Sequence, residues 1–109
     1  FIMGELIREQ VIQQTRQEIP HSVAVVIEKV EETPNITCIF AAINVERESQ
    51  KGIIIGKKGS MLKSIGSAAR EQMQKLIMGE VYLKLFVKVE PKWRQSSLRL
   101  SEFGYHLES

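Results

Sequence analysis

Apolar and polar positions alternate most regularly late in the chain. Val81, Leu83, Leu85, Val87 and Val89 are interleaved with Tyr82, Lys84, Phe86, Lys88 and Glu90, which predicts a strand over 81–90 that Pro91 ends. Just before it the period becomes helical: Leu62, Ile65, Ala69, Met73, Leu76 and Ile77 predict a helix over Ser60–Met78, with Gly79 as its C′ residue. Gly66 on that stripe leaves room for another element. Two stretches rich in β-branched residues, Ser22–Val30 and Ile36–Val45, flank the polar turn Glu31-Glu32-Thr33-Pro34-Asn35 and predict a hairpin. Leu6, Ile7, Val11 and Thr15 on one side of Gly4–Glu18 predict an opening helix, stopped by Pro20. Ser49 is a candidate N-cap for a short helix over Gln50–Ile55, and residues 96–104 predict a last one that docks through Leu100 and Phe103. The order is α-β-β-α-α-β-α: an α+β domain whose helices cover one face of a three-stranded sheet.

The stretch that does not reduce to such patterning is Ile53-Ile54-Ile55-Gly56-Lys57-Lys58-Gly59-Ser60-Met61-Leu62-Lys63. Two glycines bracket a pair of lysines between two predicted helices. Gly56 and Gly59 allow positive φ and a close approach of another surface, which puts Lys57 and Lys58 at the tip of a tight turn. The helix beginning at Ser60 points its N–H groups and positive dipole end at the same spot. A polyanion lying along the turn fits this chemistry. Ile53, Ile54, Ile55 and Met61 are candidates to line a groove for bases, although some of the isoleucines belong to the core and the sequence does not divide them. The bland alternative is an ordinary solvated turn.

Charge favours the first reading. Residues 1–46 carry three basic and seven acidic side chains, whereas residues 47–75 carry seven basic and two acidic, so the positive charge surrounds the glycine turn. The net +2 of the whole chain hides this asymmetry. No apolar run has the length of a membrane span. The single cysteine, Cys38, excludes an internal disulfide and is expected to be a small buried apolar residue. Gly56 and Gly59 lack the G-x-x-x-x-G-K-[ST] spacing of a nucleotide-hydrolysing loop. His21 and His106 lie far apart, and the chain contains no Asp, so neither a metal site nor a Ser/His/Asp triad is legible, and no cofactor is expected. Tyr82 and Phe86 share a face of the last strand and are expected to pack on the terminal helix or Trp93 rather than to stack on bases.

Ile54-Ile55-Gly56-Lys57-Lys58-Gly59 between two helices resembles the signature loop of KH domains, which bind single-stranded nucleic acid. The element order resembles the type II arrangement, implying a mixed sheet and one domain over 1–109 with a core at 21–90 and flanking helices at 1–20 and 91–109. The longer block Val45-Glu46-Arg47-Glu48-Ser49-Gln50-Lys51-Gly52-Ile53 leading into that loop is similar to the C-terminal domain of the Era-type GTPases. So are Gly4-Glu5-Leu6-Ile7-Arg8-Glu9, Ser22-Val23-Ala24-Val25, and Trp93-Arg94 followed by Gly104-Tyr105. The resemblance implies a non-enzymatic module that binds single-stranded RNA, the 3′ region of small-subunit ribosomal RNA, on the small ribosomal subunit during its assembly. The expected contacts are Gly56 and Gly59 through their amides, Lys57, Lys58 and Lys63 on phosphates, and Ser60 and Met61 at the helix start. It also implies a preceding GTPase domain, consistent with a chain that opens abruptly on Phe1-Ile2-Met3, and a bacterial cytoplasmic or organellar (matrix or stroma) setting. The competing reading is a protein-docking module that contacts a ribosomal protein or that GTPase domain.

Overall fold

In the computed structural model, residues 2–16, 19 and 23–90 are described. They form α1 (Ile2–Gln14), β1 (Ala24–Glu32), β2 (Thr37–Val45), α2 (Glu48–Ile55), a 3₁₀ turn at Lys57–Gly59, α3 (Ser60–Ile77) and β3 (Val81–Val89). β2 lies at the centre of the sheet, antiparallel to β1 and parallel to β3. That explains its composition: Ile39, Ala41, Ala42, Ile43 and Val45 are all buried, whereas the edge strand β1 is exposed from Glu28 onward. A parallel neighbour cannot be reached through a tight hairpin, so the chain must cross over one face of the sheet between β2 and β3. α2, the glycine turn and α3 make that crossing.

The three helices press their apolar sides onto this face. Ile7 and Val11 of α1, Ile54 of α2, and Ile65, Ala69 and Met73 of α3 join Ile39, Ile43 and Val81 in one cluster, each at most 1% exposed. α1 is therefore part of the core. The opposite face of the sheet carries Tyr82, Lys84, Phe86 and Lys88 outward, with Phe40 edge-on to Tyr82 at a 6.2 Å ring separation. Tyr82 and Phe86 are 46% and 39% exposed, and the terminal helix and Trp93 expected against them lie outside the described residues. Among those residues no helix is long and apolar enough to cross a membrane.

Several boundaries differ from the sequence expectation for local reasons. α1 stops at Gln14, short of Glu18 and Pro20: the Thr15 hydroxyl donates to the Val11 carbonyl at 2.7 Å, and Arg16 turns left-handed at φ 53°. The β1–β2 pairing holds a bulge at Glu28, where the register steps from Ile27↔Ala41 to Lys29↔Phe40. α2 begins at Glu48 rather than after Ser49. Its start is held by the Gln50 carboxamide, which accepts from the amides of Glu46 and Arg47 at 3.0 Å each. Cys38 is half-buried, because it lies on the open face of β2 rather than the helix-covered one.

α3 ends differently too. Its left-handed cap is Met78 (φ 62°, ψ 45°), 89% exposed, and not Gly79. The amides of Met78 and Gly79 both donate to the Gln74 carbonyl, at 2.7 and 3.3 Å. A side chain in this region crowds its own backbone, a strain that glycine escapes. Met78→Gly is therefore expected to stabilise the chain by roughly 0.5–1 kcal/mol, after the greater freedom of unfolded glycine is subtracted. Gly79→Ala should be nearly neutral, since the nearest atom to its added Cβ is Ile77 Cγ2 at 3.9 Å. Urea denaturation of the two variants checks both.

Candidate nucleic-acid interface

The site begins where α2 runs out. Ile54, fully buried, fastens the last turn of α2 to the core, and the Gly56 amide closes the helix by donating to the Gly52 carbonyl at 2.9 Å. Gly56 itself sits at φ 76°, ψ −179°, a conformation open essentially to glycine alone. It also lies close to the start of α3. A Cβ at Gly56 would fall 2.5 Å from Met61 Cβ and 2.8 Å from Met61 N. Lys58 (φ 55°) and Gly59 (φ 78°) add two more left-handed residues, so the chain reverses within four positions. At Gly59 a Cβ would meet nothing within 4 Å, so only its backbone angles call for glycine there.

This tight path holds Lys57 and Lys58 out in solvent. The turn uses part of the α3 N-terminus for itself: Gly59 N–H donates to the Gly56 carbonyl at 3.2 Å, and Ser60 N–H to the Lys57 carbonyl. No side chain caps α3, so its positive dipole end remains unshielded beside the two lysines.

From the turn a groove of about 350 Å³ runs between α3 and β3. α3 contributes Gly59, Leu62, Lys63, Gly66, Ser67 and Arg70, and β3 contributes Leu83, Lys84 and Leu85. Leu62, Leu83 and Leu85 give it apolar walls, while Lys63 and Arg70 make its charged side chains uniformly positive; the Lys84 ammonium turns to the other face of the sheet, over the Phe86 ring. Gly66 keeps it open: a Cβ there would lie 3.5 Å from Leu85 Cδ1. A second hollow of about 460 Å³ on the outer side of α1 carries Glu5 and Glu9 beside Arg8, which is the wrong charge for a polyanion. Among the described residues no group of three His, Cys, Asp or Glu side chains could hold a metal ion.

A KH-domain family model matches residues 18–94, which span the turn, the groove and the whole sheet. The chain belongs to the KH-domain family. Within that family it is similar to the KH part of GTPases Era: it is 84% identical over 109 residues to GTPase Era of Rippkaea orientalis and 52% identical over 106 residues to that of Geotalea uraniireducens. All of this chain is covered in the first match and 96% in the second, but the chain spans only about a third of each relative, 35% and 36%. A solved structure of Era in complex with MgGDPNP and nucleotides 1506–1542 of 16S ribosomal RNA superposes with a TM-score of 0.84. Its identity is 42%, over 97% of this chain and 36% of that one. Aquifex aeolicus Era bound to GDP and aluminium fluoride superposes at 0.83, also at 42% identity.

The residues singled out in the sequence divide once placed on this KH fold. Gly59 and Lys63 line the groove, and Lys57, Lys58 and exposed Ser60 stand at its mouth. Ile54 has no exposed surface and is core, not groove lining. Ile53 and Met61 are half-buried and packed against that core, with Met61 lying under Gly56, while Ile55 is half-buried. Leu62, Gly66, Ser67, Arg70 and the three β3 residues were not anticipated. Lys63, Ser67 and Arg70 at i, i+4 and i+7 are a second stripe on α3, legible in principle beside the apolar one. The β3 wall depends on how α3 packs and has no local signal.

The two glycines should respond differently to alanine. Gly56→Ala must displace Met61 as well as strain φ, and is expected to cost at least about 3 kcal/mol. Gly59→Ala carries only the backbone strain, about 1–2 kcal/mol. Denaturation midpoints of the two variants test the difference; equal losses would contradict the close approach of Gly56 to Met61.

Proposed function

We propose that this KH domain binds single-stranded RNA, taking the unpaired 3′ region of small-subunit ribosomal RNA during ribosome assembly. One observation carries this reading: the cationic turn opens directly into an apolar-walled groove whose charged groups are all positive. The sugar–phosphate backbone of about four nucleotides lies along Gly56–Gly59, where the absence of two Cβ atoms lets it approach the main chain. Lys57, Lys58 and Lys63 attract phosphates, and bases enter the groove between Leu62 and Leu85. Half-buried Ile53 and Met61 fix the turn on the core and half-buried Ile55 lines its approach, while Ser60 starts the helix whose dipole faces the strand. Phosphate contacts position the RNA and base edges give specificity.

The RNA-bound Era neighbour supports the choice of RNA. In the whole protein this module would work beside a GTPase domain, in the bacterial cytoplasm, with nucleotide hydrolysis confined to that other domain. Docking on a protein would not require the lysine pair, and this separates the two readings experimentally.

Fluorescence anisotropy with short single-stranded RNAs from the small-subunit 3′ end, against a duplex control, provides the assay. Reversing both charges, Lys57→Asp with Lys58→Asp, is expected to lower single-strand affinity more than tenfold and leave the circular dichroism unchanged, since both side chains are exposed. Unchanged affinity would remove the turn from the mechanism. Three phosphate contacts on a single strand also predict that log K falls against log salt with a slope of roughly −2.1, and the doubly reversed variant should lose at least the roughly −1.4 that Lys57 and Lys58 contribute.

A further inference from the structure

Beyond general RNA affinity, the groove has an end, and that end is built. Arg70 lies on α3 eleven residues beyond Gly59, about 16 Å along the helix from the turn. Arg70 is exposed, but its guanidinium has partners. Nη1 donates both to the Val81 carbonyl and to Oε1 of Gln74, at 3.4 Å each. The same Gln74 oxygen accepts the Val81 amide at 3.0 Å. One carboxamide thus ties α3 to the first residue of β3 and gives the arginine a fixed seat where the two walls meet. The remaining donors, Nε and Nη2, have no acceptor among the described residues.

Lys57, Lys58 and Lys63 differ from this group in kind. All four residues are exposed, but no hydrogen bond holds the three ammonium groups among the described residues. An ammonium on a flexible stem attracts phosphate without selecting a base, whereas a planar guanidinium held in place presents a fork that matches two adjacent acceptors. The apolar surfaces of Leu62, Leu83 and Leu85 suit base faces rather than phosphates, so a base that has followed the groove reaches Arg70 edge-first.

Resting on the RNA-binding reading above, we propose that Arg70 is a specificity-determining residue, which reads at the groove's far end a base presenting two adjacent acceptors, as guanine does with O6 and N7. Gln74 is the positioning residue that holds the fork. Selectivity at this one position then comes from Arg70, while overall affinity and salt dependence come from the turn.

The test uses hexamer RNAs on a uridine background with one guanosine moved through each position, compared with adenosine and 7-deazaguanosine at the same place. The wild-type chain should prefer guanosine about tenfold at one position, and lose that preference with 7-deazaguanosine, which lacks the N7 acceptor. Arg70→Lys keeps the charge and removes the fork. It should flatten the preference at that position to within about twofold, with the salt slope unchanged. Arg70→Gln gives a second, uncharged variant, expected to behave the same way at that position. If the wild type binds single strands but Arg70→Lys keeps the preference, the inference fails while the functional reading stands. An even loss of affinity for every hexamer with Arg70→Gln, with the slope shallower by about 0.7, would make Arg70 a phosphate contact and also overturn it. If the wild type binds none of the hexamers or the 3′-end RNAs, both readings fall.

Discussion

The close approach of Gly56 to Met61 is the constraint on which the rest of the site is built. Helices α2 and α3 must connect without a spacer, because both pack on the same face of a small sheet and α3 must deliver the chain to β3. With a Cβ at Gly56 forced to within 2.8 Å of a main-chain nitrogen, the connection would have to widen. A wider connection would shift the start of α3 and with it every side chain on the groove wall. The lysines are exposed as a result of this geometry: a reversal in four residues leaves no interior for its tip.

α3 meets two demands at once. One stripe, Ile65, Ala69 and Met73, is fully buried and holds the helix to the sheet. A second stripe, Lys63, Ser67 and Arg70, turns to the groove. The two are adjacent on the helix surface, so the packing that stabilises the domain also sets the direction of the residues that meet a ligand. Hydrophobic burial here works on function through position, as an apolar contact sheet-side that orients polar groups on the next face.

Much of this was legible in the residues alone. β3 read correctly to within one residue, ending at Val89 rather than Glu90, because alternation with a period of two survives burial on one face. The glycine turn was legible because its letters have few other uses between two helices. What failed was decided by single contacts. The left-handed turn at Arg16 ended α1 before proline could, Gln50 displaced Ser49 as the organiser of the α2 start, and Met78 took the strained angles that Gly79 was suited to. Each is a choice between near-equal local options, settled by neighbours distant in the pattern. The division of Ile53, Ile54 and Ile55 had the same character: three identical side chains, one of them sealed in the core by the direction in which α2 lies. The far wall of the groove was illegible because it is a tertiary product.

The parallel pairing of β2 with β3 governs when the site can exist. Thr37 pairs with Val81 and Val45 with Val89, so every rung joins residues forty-four positions apart. Contacts of that separation carry a loop-closure cost before any return, and form late. A chain emerging from its own synthesis displays the cationic turn well before β3 is available to finish the groove. On the reading proposed above, during that interval it can hold polyanions by charge but cannot tell one base from another, so discrimination arrives only with β3.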